Sequence, residues 1–381
     1  MISDPYTMML PEQIEALRTE LDALRHQEWS DRGSTDARYI QRLWHAVRWT
    51  GLTGRLALFF SFWWPMWGLG VFLLSLSKIL DNMEVGHNVI HGQYDFLGDP
   101  RFHGNHYEWD IAGTSANWRT THNYRHHTYT NIRGMDEDIG YGVLRLFPEQ
   151  RWKLHHLLQP FYAIIFALLF QWGIAIQDLR IGQLFQGKKT LQQLRKDFAP
   201  VQKKISRLML RDYILLPLIA GPMALHVLLG NIVANGIRNV WTFSVIFCGH
   251  FTRDVRIFPK SILNGEHQGL WYVRQILGSS NLKGGRIFHI LTGNLSHQIE
   301  HHLFPDLPAW RYARIAPKVQ ALCDRYNLPY HRGRLSRQCL QVTWRILRHA
   351  FPSRTLQPVH QASALSINSM TPQQEPPYDA L

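Results

Sequence analysis

Histidine crowding restricts the folding of this chain more than any other feature. Eight of its 21 histidines fall into three short runs, 87-HNVIH-91, 122-HNYRHH-127 and 297-HQIEHH-302. Imidazole is an awkward core filler and the commonest side-chain metal ligand. On a helix, residues i and i+4 share one face with Cβ atoms about 5–6 Å apart. His87 and His91 have that spacing, and His122 and His126 repeat it. His127 is turned about 100° from His126 on a regular helix. Both members of an adjacent pair cannot easily reach one ion, but they can serve two. By template counting, HxxxHH is expected about 0.06 times in a shuffled chain of this composition, yet it starts twice, at His122 and at His297. The pattern therefore predicts that three distant stretches converge on a pair of metal ions, with His301 and His302 dividing between them as His126 and His127 do.

The donor types narrow the metal. All-imidazole sites suit zinc, copper, iron or nickel. A structural zinc needs only four ligands, fewer than the histidines available. A di-iron centre that activates O2 fits the number and leaves open positions. The three cysteines, Cys248, Cys323 and Cys339, form no CxxC pair, so neither a thiolate metal site nor a disulfide framework is expected. The remaining histidines, among them His103, His106, His155, His156 and His289, have no matching partner and read as surface or supporting groups.

Five apolar stretches set the rest of the organisation: 56–64, 66–80, 161–176, 214–229 and 232–248. Pro65 and the glycines after it suggest the tip of one hairpin, and Gly230-Asn231 the turn of a second. Segment 161–176 is shorter than the ~20 residues a crossing needs. If it crossed, the histidine runs would lie on opposite sides of the bilayer. The basic segment 177–212, with Lys188, Lys189, Arg195, Lys196, Lys203, Lys204, Arg207 and Arg211, would also face the wrong way by the positive-inside rule. The expected architecture is thus an all-α integral membrane protein, with four transmembrane helices in two hairpins and a cytosolic helical cap. The alternative is a large soluble protein with buried helices. Residues 1–45 read as a cytosolic amphipathic segment without a signal-peptide core, 46–345 as the membrane domain, and 346–381 as a disordered tail rich in Pro, Gln and Ser. The net charge of +13 is scattered through polar segments, and no nucleic-acid motif accompanies it. Anionic lipid and an acidic protein partner are the better matches.

HNVIH, HNYRHH and HQIEHHLFPDLP, in this order and separated by apolar hairpins, resemble the three histidine boxes of the membrane-bound fatty acid desaturase family. The likeness is greatest to bacterial acyl-CoA or acyl-lipid desaturases, and NMEVGHNVIHGQYD and YTNIRGMDEDIGYG add to it. It implies two irons under a cytosolic cap, with O2 as co-substrate and an acyl tunnel beneath the metals. The implied ligands are His87, His91, His122, His126, His127, His301 and His302. To these the resemblance adds Gln298 in the third box and a histidine just after the last spanning helix. Spacing alone favours His297 over Gln298, since His297 stands four before His301. His250, in CGHFTRD, is the choice for the extra ligand and His267, in GEHQGLW, its rival. Asp95, Asn131, Asp136, Asp138 and Glu300 lie beside the boxes and are candidates to hold the ligand rings.

The implied reaction removes two hydrogens from adjacent methylenes of a fatty acyl-CoA or acyl-lipid. The chain has no cytochrome b5-type haem loop, no GxGxxG after a strand and no Fe–S cysteine set, so electrons are expected from a separate ferredoxin, rubredoxin or cytochrome with its reductase. The expected location is a bacterial inner membrane, with the active site facing the cytoplasm. A hydroxylase or other monooxygenase of the same superfamily is the nearest alternative. A membrane zinc hydrolase or metal-binding transport protein is the alternative from another class.

Overall fold

The computed structural model describes residues 9–185 and 187–352. They are mostly helical, with one two-stranded parallel sheet, β1 (Asn281–Lys283) beside β2 (Arg332–Arg334). The amphipathic start of the chain is helix α1 (Pro11–Ser30), whose Ile14, Leu17, Leu21 and Leu24 are buried at helical spacing. Leu17, Leu21 and Leu24 pack into a core with Ile276, Leu303 and Val319, so α1 walls that core.

The first hairpin is α2 (Ser34–Phe59) against α3 (Trp64–Ile79). Its tip is Phe60 to Trp63, and Pro65 lies in the first turn of α3 rather than at the tip. Proline suits that place because its missing N–H has no partner to lose there. The two helices approach through glycine. A Cβ on Gly54 would come within 2.8 Å of the Leu74 backbone nitrogen, and one on Gly70 within 2.8 Å of Leu58 Cγ. Gly54→Val is therefore expected to destabilise the hairpin by about 1–3 kcal/mol through overpacking, seen as a lower midpoint in thermal unfolding.

The second hairpin departs from expectation. Gly230 and Asn231 do not turn the chain but lie inside the 27-residue helix α7 (Ala224–His250). Tertiary contacts override their turn preference. The Asn231 amide donates to the Asp212 carbonyl at 2.5 Å, and a Cβ on Gly230 would meet Leu58 Cδ2 at 2.7 Å. The reversal occurs at Gly221–Met223, where Gly221 has φ +55°. The arm before it is α6 (Leu191–Met209), which continues through a π-turn, Leu210–Leu215, into Leu216–Ile219.

The segment between the hairpins is split into α4 (Gln159–Leu168) and α5 (Phe170–Asp178), and the longer pair 154–168 and 170–185 bends by 96°. Among the described residues no single helix is long and apolar enough to cross a membrane; this bent pair passes that test only when its two parts are taken together. Large apolar side chains nevertheless stand exposed on these elements. They include Phe62, Trp63 and Trp64 at the first tip, Ile164 and Ile165 at the bend, and Leu218, Ile219 and Leu225 at the second tip.

Further helices are α8 (Gln268–Leu277), α9 (Gln298–Leu303), α10 (Tyr312–Arg325) and α11 (Leu335–Ala350). The segment boundaries read from composition both fall inside helices, 45/46 within α2 and 345/346 within α11. Residues 346–350 are helical rather than part of a disordered tail. The rest of that expectation, from residue 353, lies outside the described residues.

Candidate metal centre

The first histidine run lies in a four-residue helical turn, His87–Ile90, that follows the π-helix Leu80–Gly86 at the end of α3. The second lies in another π-helix, Arg119–His126, up to His126, and only His127 opens an α-helical turn, so the regular α-helix assumed for it is not what forms. The i→i+5 bonding of these stretches widens the helix and leaves the His122 and His126 rings stacked, with centroids 4.9 Å apart and planes 24° apart. The third run opens with a 3₁₀ turn ending at His297, and only from Gln298 on is it α-helical.

These turns bring the runs together in two foci. Ligand atoms of His87, His91, His122 and His301 lie within 4.8 Å of one another, and so do those of His126, His250 and His302. All are buried. Nε2 of His250 is 3.3 Å from Nε2 of His126, 3.0 Å from that of His302 and 2.7 Å from the Gln298 amide nitrogen. His301 and His302 thus divide between the foci. His127 stands between them, its ring centroid 4.7 Å from His91 and His301 and 4.5 Å from His302.

Most rings are held by Nδ1 while Nε2 faces inward. His122 Nδ1 is 3.0 Å from Asp138, and His126 Nδ1 is 3.0 Å from both oxygens of Asp136. His87 leans on the Asn88 side-chain oxygen Oδ1 at 3.1 Å, His302 on Gln275 Oε1 at 3.1 Å, His301 on the Tyr312 hydroxyl at 3.4 Å and His250 on the Gly278 backbone carbonyl at 3.3 Å. Such partners fix ring orientation and tautomer. The inward Nε2 atoms of His87, His91, His122, His127 and His301, with the Gln298 amide oxygen, are buried without a hydrogen-bond partner. Orphaned polar atoms at this density are costly, and cations between the rings would satisfy them. The residues present therefore fit a metal site of imidazoles and one carboxamide.

Charge agrees with this. Burial pushes His87 down to about 4, and burial followed by mutual repulsion pushes His91, His122, His127, His301 and His302 well below the usual imidazole value. They are neutral at pH 7, the ligating form. His126 is the exception. Burial lowers it, but Asp136 and Asp138 outweigh burial and raise it.

Several supporting groups differ from expectation. Asp95 holds the Gly104 N–H at 2.7 Å and touches none of the box histidines, because the chain turns away at Gly92, φ +74°. Glu300 is fully buried but bonds Asn281 and Tyr330, both at 2.8 Å, and lies 3.9 Å from His297. His267 is exposed at the start of α8. His297 joins neither focus; its ring lies 4.5 Å from that of His289. Asn131 acts indirectly. With φ +56° it turns the loop so that its N–H donates to Asp136 at 2.7 Å, while its side chain holds the Arg256 and Gly278 carbonyls.

Asn88, Gln275, Thr130, Tyr312 and Trp118, which stacks on His122 at 4.1 Å, escaped sequence reasoning. Asn88 sits inside the first run and was findable; Gln275 and Tyr312 carry no local signal. Asp136→Asn is expected to weaken metal retention and activity by about 10–100-fold, the usual cost of losing an outer partner, measured as metal content and turnover of purified protein.

A family model described as fatty acid desaturase matches residues 61–334. The chain is 43% identical over 348 residues to the NADPH-dependent stearoyl-CoA 9-desaturase of Mycobacterium tuberculosis, covering 90% of this chain and 81% of that protein. It is 27% identical over 293 residues to the sn-1 linoleoyl-lipid 6-desaturase of Synechocystis, covering 74% and 80%.

Proposed function

This chain belongs to the fatty acid desaturase family, and on that premise we propose that it desaturates a long-chain acyl-CoA, stearoyl-CoA foremost, at a pair of irons. That it is an oxidoreductase introducing a carbon–carbon double bond follows from the family. The substrate follows the Mycobacterium relative's name. The observation that carries the metal reading is the two-focus convergence of inward Nε2 atoms: those of His87, His91, His122 and His301 have no hydrogen-bond partner, and those of His126 and His302 meet only that of His250. His87, His91, His122 and His301 would hold one iron; His126, His250, His302 and Gln298 the other; His127 stands where it serves either. Iron, when bound, would supply activation of O2. The reaction balances as loss of two hydrogens from adjacent methylenes, with O2, two electrons and two protons giving two waters. The chain's own contribution is to bury the site, exclude bulk water and fix which carbons lie beneath it.

The exposed apolar side chains of the two hairpins and of the bend support a membrane position, with the basic α6 and the cap on the cytoplasmic side. A surface cavity of about 470 Å³ lined by Arg180, Lys188, Lys189 and Lys196 offers cations for the phosphates of a CoA group. Electrons would come ultimately from NADPH, through a separate ferredoxin, rubredoxin or cytochrome with its reductase.

The test is expression in a heterologous host, followed by gas chromatography and mass spectrometry of its fatty acids. A new olefin two hydrogens lighter than its parent is expected; a gain of oxygen would instead make the protein a hydroxylase. Within the third box, Gln298→Ala is expected to lower iron content and activity by at least ~10-fold, while His297→Ala leaves iron content unchanged. The reverse pattern would move the ligand to His297.

A further inference from the structure

Two cavities meet at one side chain. The outer is a cleft of about 510 Å³, open to the surface, between the loop 133–142 and the end of α5 with the turn after it. The inner is small and enclosed, and it lies against His87, His122, His126, His250 and Gln298. Among the described residues, Tyr141 is the one that lines both.

The backbone holds Tyr141 there against its preference. Gly140, Tyr141 and Gly142 have φ of +62°, +53° and +67°, three left-handed residues in succession. The outer two are glycine, which adopts this conformation freely, whereas tyrosine does not. A strained residue persists where its surroundings over-determine it, and such strain collects at functional positions. The ring is 4% exposed and packs against Phe166, Phe170 and Phe247, with centroids 5.5, 5.3 and 5.9 Å away. Phe166 and Phe170 flank the bend between α4 and α5. The hydroxyl is buried without a partner, which leaves the ring as the part of the side chain fixed by its neighbours. The loop carrying Tyr141 is itself anchored to the metal centre through Asp136 and Asp138.

Resting on the desaturase reading, we propose that Tyr141 is a specificity-determining gate: the acyl chain reaches the metal cavity from the outer cleft past its ring, which selects for a narrow, unbranched chain. The ring, not the hydroxyl, sets the width.

The test compares stearoyl-CoA with a mid-chain methyl-branched stearoyl-CoA, using the full-length, iron-loaded enzyme with its reductase system. Tyr141→Ala is expected to raise the branched-to-linear ratio of kcat/KM about tenfold, the scale of one methyl group in a tight apolar site. Tyr141→Phe should leave the ratio unchanged, and Tyr141→Trp should depress use of both substrates through KM. A purely structural role would lower kcat and iron content alike for both substrates and would not move the ratio. Should the Ala and Trp variants fold poorly, Ile176→Trp on the exposed wall of the cleft is expected to raise KM for stearoyl-CoA about tenfold with iron content intact; an unchanged KM overturns the route. An active wild type whose iron-replete variants keep the parental ratio overturns the gate alone. A wild type yielding no olefin overturns the reading beneath it.

Discussion

Replacing His302 by alanine is expected to cut desaturation by more than about 100-fold, beyond the ~10–100-fold of an outer partner, and to remove one of the two proposed irons. The side chain is fully buried, with Nε2 3.0 Å from His250 Nε2 and Nδ1 3.1 Å from Gln275. Truncation therefore deletes a donor from one focus and leaves the Gln275 amide oxygen without its partner. His301→Ala should deplete the other focus, since His301 groups with His87, His91 and His122. The check is metal analysis of each purified variant alongside chromatography of its products. Full activity in His302→Ala would end the two-metal reading. Zinc in place of iron, with no consumption of O2, would point to the hydrolase alternative.

The second large effect concerns stability. Arg311 is 3% exposed and grips Asp36 through two bonds of 2.8 Å, one to each carboxylate oxygen. It also lies 3.3 Å from Glu28 and donates to the Asp31 carbonyl at 2.8 Å. Asp36 and Glu28 are both buried; Glu28 keeps Arg314, but Arg311→Ala would strand the Asp36 carboxylate beside the junction of α1 and α2. Breaking a buried pair in this way costs about 3–5 kcal/mol, and Arg311→Lys should rescue little because an ammonium cannot match the two-pronged contact. Adding Asp36→Asn to Arg311→Ala should recover part of the loss. Thermal unfolding in detergent measures all four proteins. The sign with pH follows from Asp36. Burial raises its pKa, but the bonds from Arg311 and the Gly33 N–H outweigh burial and the net shift is downward. Its contribution is present above the unfolded carboxylate value near ~3.9 and is lost as pH falls through the lower folded value.

The convergence of the histidine runs was largely legible because their spacing is a local property. His87, His91, His122, His126, His127, His301 and His302 announce themselves within six-residue windows, and each reaches the centre. The choice between His297 and Gln298 was not legible from helical spacing, because His297 stands before the helix with φ −105° and ψ 56°. Nor was the second hairpin. Glycine followed by asparagine favours a turn in isolation, but Asp212 and Leu58, far off in sequence, hold Gly230 and Asn231 in a straight helix. Adjacency misled at Asp95 and Glu300, whose backbones carry them to other partners. His250 came from the resemblance, which asks for a histidine after the last apolar run; spacing alone did not single it out. Tyr141 gave no sign, since its position depends on a backbone conformation that composition does not encode.

The two π-turns ahead of and within the first two histidine runs tie ligand direction to residue count. Each adds to its turn a residue that an α-helix would not accommodate, and one residue is worth about 100° of rotation about the axis. Shortening 80–86 or 119–126 by a single position would swing the imidazoles of the adjoining run away from their focus, however carefully the histidines themselves were kept. These two stretches should thus accept exchange of side chains far more readily than any change in length.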